Sequence, residues 1–457
     1  MNEIEAYLLE HEPQAIETLL AFCAIASVST DPAFGAGIAL AAKFAADQLT
    51  AAGFPTVEII PTGGHPCVLA EWCDTPGAPA VLVYGHYDVQ PPDPLDKWHS
   101  PPFQPEIRDG KIFARGVSDD KGPLMIPILV AAAYKEVHGA LPLNVKVLIE
   151  GEEESGSPHF ALTVARLKDR LACDLVISAD GAMWRADLPS VTVASRGLAA
   201  MEVTVHGAAK DLHSGRHGGT APNPIRALAH MLASLHDANG HVIVAGFADA
   251  ATPPDPAIAA AIASVGYDAG SYFDDIGANR PDPLPAGDAL LTRQWLLPTL
   301  EFNGISGGYA GKGTKTVIPA EASVKITCRL VAGQVPSDVI AAISRHLDAR
   351  LPPGYRMEIS ARDPGTVAFS LDPALPALAI AEDILTDVLG AKPLRVAMGA
   401  TIPIGEVFAK HLNVGTIFFS FSTSDEDYHA PNEHFRLSSF RTGQIAWARL
   451  FDRLAQR

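Results

Sequence analysis

The chain has 457 residues, of which 48% are hydrophobic and 19% are charged, and its formal net charge is −18. This length predicts roughly two to four domains, with a core large enough to be stable without disulfides. The composition is too apolar for a disordered chain. The acidic charge argues against nucleic acid and anionic lipid as partners, because both are bound through clustered Lys and Arg.

The first part of the chain alternates helical and strand-like segments. Helices are predicted at 14–26, 36–52 and 122–138, and buried strands at 80–85, 143–150 and 174–180. Short apolar strands that alternate with helices are typical of an α/β domain with a largely parallel sheet. In such a sheet, ligands collect beyond the carboxyl ends of the strands.

The pattern changes near Ser195 and changes back near residue 374. Alternating strands are predicted at 198–207 and 322–331, each followed by a helix, at 222–236 and 336–349. Residues 250–313 are rich in Pro, Gly and Asp and are predicted to be mostly loop. The α/β pattern then returns, with a helix at 374–389, a strand at 413–421 and a helix at 438–455. We therefore predict a discontinuous α/β domain, 1–196 and 375–457, interrupted by an α+β two-layer domain, 197–374.

Two short polar motifs are candidates for chemistry. In GHYDVQP, His86 and Asp88 lie two residues apart at a strand end and point the same way. This arrangement suits a metal ligand and the carboxylate that fixes its tautomer, but a strand-end histidine bonded to a turn has the same pattern. In GVSDDKG, two adjacent aspartates either direct oxygens into one pocket or cap the helix that begins near Gly122.

The motif EGEEESGS places four glutamates within five positions directly after an apolar strand. Like charges in one site are costly unless a cation or a shared proton relieves them. Adjacent residues of an extended chain face opposite ways, so Glu154 can bind a metal while Glu153 faces the reacting water. The alternative is an exposed acidic loop.

Asp180, at the end of a predicted strand, and His429, in DYHAPNE, complete a set of His, Asp and Glu side chains. This mixed nitrogen and oxygen set suits zinc or manganese and requires no thiolate. Two such metals about 3.5–4 Å apart would form a hydrolytic site. The sequence contains neither the spacing of a phosphate loop nor a GxSxG nucleophile elbow.

The cysteines and the first residues bear on location. The five cysteines include no CxxC pair, and the acidic first residues lack a basic and apolar leader. The longest apolar run, about Pro123 to Tyr134, is shorter than the roughly 20 residues of a bilayer span. We expect a soluble, cytoplasmic protein without a membrane segment.

Seven motifs carry a resemblance to a known family. In chain order they are GHYDVQP, RGVSDDKG, EGEEESGS, DLHSGRHGG, GTKTVIP, GATIP and HAPNE. They resemble those of the di-zinc peptidase family that includes carnosinase, the cytosolic nonspecific dipeptidases, carboxypeptidase G, aminoacylase, acetylornithine deacetylase and succinyl-diaminopimelate desuccinylase. The resemblance runs from about residue 13 to the C-terminus and is strongest to the carnosinase and nonspecific dipeptidase branch. It implies a zinc-peptidase catalytic domain and an inserted lid and dimerisation domain.

The resemblance also implies roles for single residues. The implied ligands of the two metals are His86, Asp119 and Asp180 for one and Asp119, Glu154 and His429 for the other. Asp119 would bridge the metals, and the peptide bond after it is typically cis in the family. Glu153 would be the general base, and Asp88 would be the partner of His86.

The implied substrate contacts lie mostly in the inserted domain. His213 of DLHSG would donate to the oxyanion, often across a dimer, and Arg329 would receive the substrate carboxylate, which a guanidinium binds bidentately. Thr316, Gly399 and Thr401 would make further contacts. Without the resemblance, a loop histidine beside a glycine turn is the favoured interpretation of His213, and Arg329 is either a carboxylate-binding residue or an exposed strand arginine.

These features predict hydrolysis of dipeptides or short peptides with a free C-terminal carboxylate, by a hydroxide held between two divalent metals. Zinc is the expected metal, with manganese or cobalt as alternatives, and a homodimer is expected. An alternative is the same chemistry on N-acyl or N-carbamoyl amino acids; a third possibility is a non-catalytic metal-binding protein. Glu152 and Ala400 depart from the family pattern, and residues 250–300 hold no alignable motif, so substrate choice stays open.

Overall fold

The computed structural model describes residues 1–361, 365–399 and 403–456. The chain divides into two compact units. The first unit comprises Met1–Val193, Leu371–Val396 and Val407–Arg457, and the second comprises Ala194–Ser370 and Ala397–Glu406. The second unit therefore begins at Ala194 rather than at residue 197, and it also includes Ala397–Glu406, which the sequence-based boundaries place in the other domain.

The helices and strands have the following bounds. The α-helices are α1 (Glu3–Glu10), α2 (Glu12–Cys23), α3 (Gly35–Ala51), α4 (Gly122–His138), α5 (Phe160–Leu171), α6 (Ser214–His217), α7 (Pro224–Ala233), α8 (Pro256–Val265), α9 (Ala269–Asp275), α10 (Gly287–Trp295), α11 (Pro336–Asp348), α12 (Pro376–Leu389), α13 (Ile404–Leu412) and α14 (Leu437–Ala455). The β-strands are β1 (Thr56–Ile60), β2 (Cys67–Trp72), β3 (Ala80–His86), β4 (Glu106–Arg108), β5 (Lys111–Phe113), β6 (Asn144–Glu150), β7 (Leu175–Ser178), β8 (Ser190–Ser195), β9 (Gly197–His206), β10 (Leu212–His213), β11 (Thr299–Gly307), β12 (Val317–Ile318), β13 (Glu321–Leu330), β14 (Arg356–Ser360), β15 (Phe369–Ser370), β16 (Leu394–Met398), β17 (Thr416–Phe418) and β18 (His434–Arg436).

The first unit is built on a six-stranded sheet with the order β1-β2-β6-β3-β7-β17. The neighbours β6, β3, β7 and β17 are parallel, whereas β2 is antiparallel to β6 and β1 is antiparallel to β2. All of β3 after Ala80 is buried, as is typical of a strand covered on both faces. The predicted α/β class with a mostly parallel sheet is confirmed, with an antiparallel pair added at one edge.

The helices of this unit bury apolar faces. The buried residues of α3 are Ile38, Ala41, Ala42, Ala45 and Leu49, whose spacing places them on the side that contacts β1 and β2. Helix α4 has the predicted bounds, 122–138, and buries most of its apolar run. Within the described parts of the chain, no helix is both long and apolar enough to cross a bilayer.

The second unit contains a four-stranded antiparallel sheet with the order β11-β13-β9-β14. Buried and half-buried residues alternate along the whole of β9, so one face of the strand points into a core. Helices α7 and α11 pack against this face and complete an apolar cluster with the sheet. The predicted α+β two-layer arrangement is thereby confirmed.

The prediction that residues 250–313 are mostly loop is wrong. This stretch contains three helices, α8, α9 and α10, and strand β11. The Asp255 and Asp268 side chains accept hydrogen bonds from the backbone N–H groups of Ala257 and Gly270, so each caps a helix. Pro256 lies at the first position of α8, where proline is favoured. Residues that suggest loops by composition are here the start signals of short helices.

Candidate metal centre

The candidate metal ligands follow strands that end at one edge of the first unit's sheet. Strand β3 ends at His86, β6 ends shortly before Glu154, and β7 ends shortly before Asp180. Because these three strands are parallel neighbours, the residues at their carboxyl ends meet. The sheet thus gathers side chains that lie far apart in the sequence.

Asp119 comes to the same place from a tight turn, Val117–Lys121, that leads into α4. Its backbone angles (φ −129°, ψ 90°) interrupt the helical conformation of that turn, and the Asp119–Asp120 peptide bond is cis. The Asp120 carboxylate accepts a hydrogen bond from the backbone N–H of His86 at 3.1 Å and belongs to neither ligand group. Asp119, rather than Asp120, therefore faces the candidate ligands.

Asp119 lies between two histidines. Its Oδ1 is 3.0 Å from His86 Nε2, and its Oδ2 is 3.0 Å from His429 Nε2. His429 Nε2 is also 3.1 Å from a carboxylate oxygen of Glu154. Among the described residues, the groups able to hold a metal ion are His86, Asp119 and Asp180, and Asp119, Glu154 and His429. In each group the donor atoms lie within 4.8 Å of one another, and Asp119 is common to both.

The electrostatics of the cluster favour a bound cation. Burial, together with the nearby carboxylates of Asp119 and Glu154, raises the pKa of Asp180 to about 7, although His86 acts in the opposite direction. Burial and Asp119 also raise the pKa of Glu154. For Asp119 itself, burial is outweighed by the hydrogen bonds with His429 and His86, and its pKa is lowered. Carboxylates crowded in this way become ionised together when divalent metal neutralises them, and two imidazoles with three carboxylates match the ligand chemistry of zinc or manganese.

Glu153 is a different kind of residue from its neighbour. It belongs to neither ligand group, although it is next to Glu154 in the short turn Glu153–Ser155. Burial raises its pKa well above the ordinary value, and Asp180 and Glu154 add to this effect. A partly buried carboxyl group with a raised pKa beside a ligand cluster is suited to accept and return a proton near neutral pH.

Asp88 contacts both His86 and the turn that holds Glu153. Its backbone oxygen is 3.0 Å from His86 Nδ1, nearer than its carboxylate, which is 3.5 Å away. The two carboxylate oxygens accept hydrogen bonds from the backbone N–H groups of Glu153 at 3.2 Å and Glu154 at 3.0 Å. Asp88 is therefore placed to fix the position of both glutamates as well as the orientation of the imidazole.

Two contacts near the cluster involve residues that were not predicted to belong to the site. Gln90 Nε2 donates to the Glu154 carboxylate at 2.8 Å. Gln90 lies four positions after His86 in GHYDVQP, and in an extended chain the two side chains lie on the same face. This spacing indicates Gln90 as a further residue of the site. The unusual Glu152 is buried, with His159 Nδ1 3.0 Å from its carboxylate, and it is outside both ligand groups.

In the second unit, His213 and Thr316 are neighbours. Strand β10 pairs with β12, opposing His213 and Val317. The exposed His213 ring accepts a hydrogen bond at Nδ1 from the backbone N–H of Gly215 at 3.0 Å, and its Nε2 is 3.5 Å from the Thr316 hydroxyl. The Gly215 bond leaves Nε2 as the nitrogen that carries a proton in the neutral ring.

Arg196, which lies outside the seven motifs, interacts with Gly399 and with the charge of Arg329. Arg196 donates through Nε to the backbone oxygen of Gly399 at 2.8 Å. Burial and the positive charge of Arg329 together lower the pKa of Arg196 to about 10. Arg329 itself is half-buried on β13, and burial lowers its pKa as well. Thr401 lies outside the described residues.

Comparisons with known proteins agree with this geometry. Residues 82–453 match the family model described as Peptidase family M20/M25/M40. A Beta-Ala-His dipeptidase of Rattus norvegicus is 29% identical, over 100% of this chain and 96% of that protein. A Cys-Gly metallodipeptidase of Saccharomyces cerevisiae is 28% identical, over 96% of this chain and 94% of that protein. An M20 family metallo-carboxypeptidase structure from Sulfolobus solfataricus is 27% identical with a TM-score of 0.86, covering 97% of this chain and 99% of that one.

Proposed function

This chain belongs to peptidase family M20/M25/M40, and we propose that it is a metal-dependent dipeptidase acting on dipeptides or short peptides with a free C-terminal carboxylate. The observation that carries the proposal is the pair of ligand groups that share Asp119, with Glu153 beside them. Relatives named as dipeptidases align over nearly the whole chain, which supports a small peptide as the substrate.

The proposed metals are two divalent ions, zinc in the first instance, with manganese or cobalt as alternatives. The proposed ligands are His86, Asp119 and Asp180 for one ion and Asp119, Glu154 and His429 for the other. Divalent ions at such a site polarise a carbonyl group and make water acidic enough to react near neutral pH. The protein residues supply the remaining steps.

Glu153 is the proposed general base. Its carboxylate takes a proton from the attacking water and then delivers that proton to the nitrogen of the leaving amine. The raised pKa of Glu153 suits this exchange, because its carboxylate is a stronger base toward water than a carboxylate of ordinary pKa. Asp88 fixes the backbone of the Glu153 turn and so keeps the carboxylate in place.

His213 and Arg329 are the proposed contacts to the oxyanion and to the substrate carboxylate. The Gly215 bond to His213 Nδ1 directs the ring proton to Nε2, which is the donor that an oxyanion needs. Arg329 would pair with the carboxylate bidentately. Thr316, Gly399 and Thr401 are proposed to contact the substrate.

A homodimer is proposed, with contact through the second unit. Strand β11 is an edge strand that is exposed from Glu301 to Gly307, and it carries Phe302 and the 64% exposed Ile305. An exposed apolar edge strand readily pairs with a second copy. Light scattering should give twice the chain mass for the wild type and for Leu162→Asp, a control at an exposed leucine of the first unit, but less for Ile305→Asp. A monomeric wild type would contradict the proposal.

The five cysteines are free in the structure, and on that ground we place the protein in a reducing compartment, the cytoplasm. Fractionation of cells that express the tagged protein tests this placement. Recovery in the cytosolic fraction is the expected result, and recovery in an oxidising compartment would contradict it.

A substrate panel tests the proposed activity. Protein loaded with Zn²⁺ or Mn²⁺ should hydrolyse dipeptides, including Cys-Gly and β-Ala-His, with higher kcat/KM than N-acetyl or N-carbamoyl amino acids. Glu153→Ala with full metal content is the control for contaminating peptidases. Turnover confined to acyl or carbamoyl amino acids would replace the dipeptidase proposal with the alternative, and no turnover on any substrate would contradict both.

A further inference from the structure

We infer that Glu433 is a positioning residue for the metal centre, because its buried carboxylate holds the backbone turn that presents Asp119. The inference rests on the proposed metal centre, but it concerns residues that are outside both ligand groups. Glu433 has no exposed surface and lies four positions after His429 in the same loop.

The Glu433 carboxylate accepts hydrogen bonds from four donors in one short stretch of chain. Its Oε1 accepts from the backbone N–H groups of Ser118 at 2.9 Å and Asp119 at 3.1 Å. Its Oε2 accepts from the backbone N–H of Gly116 and from Arg115 Nη1, each at 2.8 Å. One side chain thus fixes the backbone at Gly116, Ser118 and Asp119, where the chain enters the turn.

These bonds matter because Asp119 must serve two metals at once. One of its oxygens faces His86 and the other faces His429. A small rotation of the turn would move both oxygens away from their targets together. The turn also departs from regular geometry, since Gly116 is left-handed (φ 82°) and Asp119 is non-helical. Glu433 accepts from N–H groups at the start of this element, which have no partner within a helix.

The segment 422–433, which bonds to the turn, also contains His429. Ser118 donates its hydroxyl to Glu426 at 2.7 Å, and the Ser422 hydroxyl donates to the Ser118 backbone oxygen at 2.7 Å. His429, between Glu426 and Glu433, has a left-handed backbone (φ 63°) that is costly for a residue with a side chain. Residues 422–433 therefore hold Asp119 and His429 in one fixed relation.

A purely structural role for the buried Arg115–Glu433 pair makes a different prediction. Loss of such a pair would lower thermal stability without specifically changing the metal. A positioning role predicts a loss of metal affinity beyond that caused by losing an ion pair elsewhere in the same unit. Glu5 offers the control, because it is a buried carboxylate in the same unit that pairs with Arg449 at 2.8 Å and contacts no proposed ligand.

The experiment measures Zn²⁺ affinity by chelator competition and the absorption spectrum of the Co²⁺-loaded protein. Glu433→Gln keeps the shape but turns an NH₂ group toward N–H donors; Glu433→Asp keeps the charge but is one methylene shorter. Both should bind Zn²⁺ about 10–100-fold more weakly and alter the Co²⁺ spectrum. Glu5→Gln should keep wild-type affinity and spectrum. Affinity within about twofold of wild type in either folded Glu433 variant would overturn the inference.

A second measurement needs no variant. In wild-type protein stripped of metal, hydrogen exchange at the Ser118 and Asp119 amides should be slow, because Glu433 holds them before any ion binds. Rapid exchange at these amides would overturn the inference even if the variants do not fold. Neither readout requires peptide turnover, so failure of the proposed dipeptidase activity is distinguishable from failure of this inference.

Discussion

Both units bury apolar side chains, but the first unit also buries acidic ones. The second unit buries an apolar cluster that includes Val203, Ile326 and Ile343, and its candidate His213 is exposed with an ordinary hydrogen bond. The first unit buries acidic side chains at its sheet edge, with pKa values raised by burial at Glu153 and Asp180. Burying apolar surface stabilises a fold, whereas burying like charges costs free energy. On the basis of this cost we propose the first unit's sheet edge as the functional site.

The largest expected effect comes from removing the metal. Dialysis against a chelator should abolish hydrolysis, because the remaining carboxylates cannot polarise a carbonyl group. Activity should return with Zn²⁺ or Mn²⁺ but not with Mg²⁺ at equal concentration, since imidazole ligands disfavour Mg²⁺. Full activity in protein that elemental analysis shows to be metal-free would contradict the proposal that the first unit's sheet edge is a metal site.

Glu153→Gln should lower kcat by about 10²–10⁴-fold, the range for loss of a general acid–base group. Metal content should stay at the wild-type value, because Glu153 is outside both ligand groups. Elemental analysis and steady-state kinetics on the same sample separate the two effects. Loss of metal in parallel with activity would make Glu153 a ligand rather than the base.

His213→Ala should lower kcat by about 10²–10³-fold, as expected for one oxyanion donor. Metal affinity should not change, since His213 is in the second unit and its contacts are with Gly215 and Thr316. His217→Ala, an exposed histidine at the other end of α6, is the matched control. Equal kinetics of the two variants would show that His213 is an ordinary loop histidine.

Metal affinity should decrease as the pH is lowered. The metal-free protein holds a proton on Asp180, whose pKa burial raises to about 7. The ion must displace that proton below this pH, and it must also displace the proton of His429, whose pKa Asp119 and Glu154 raise to about 10. For each proton that the ion displaces, the affinity should therefore weaken by about tenfold for every unit that the pH falls below 7. Calorimetry in two buffers should detect the released protons. Affinity that is constant from pH 5.5 to 8 would contradict this account.

The smallest effect on the metal should come from the second unit's core. Leu347→Ala removes buried methyl groups from the apolar cluster and should cost about 2–5 kcal/mol of unfolding free energy. Denaturant melts measure that loss, and chelator competition should give an unchanged Zn²⁺ affinity. A parallel loss of affinity would mean that the two units do not divide stability and metal binding as we describe.

The sequence contained enough to predict the family, the α/β class and the residues gathered at the sheet edge. His86 and Asp180 could be found because strand ends are readable from apolar runs and parallel strands end together. Family membership confirms the resemblance carried by the seven motifs. Asp119 could be selected over Asp120 only by the resemblance, because the sequence pattern places the two side by side.

Other features depend on contacts between residues far apart in the chain. Glu433 bonds to Ser118 of the Val117–Lys121 turn across more than 300 positions, which no local pattern signals. The helices within 250–313 were missed because Pro and Asp favour both loops and helix starts. The assignment of Ala397–Glu406 to the second unit likewise follows from packing.

The central claim is that the partly buried acidic cluster holds two metals that share Asp119. Anomalous diffraction at the zinc edge from crystals of the Zn²⁺-loaded protein tests this claim most directly. The account predicts one peak about 2.0–2.2 Å from donor atoms of His86, Asp119 and Asp180, and a second at the same range from Asp119, Glu154 and His429. A single peak that does not contact Asp119, or no peak at this sheet edge, would contradict it.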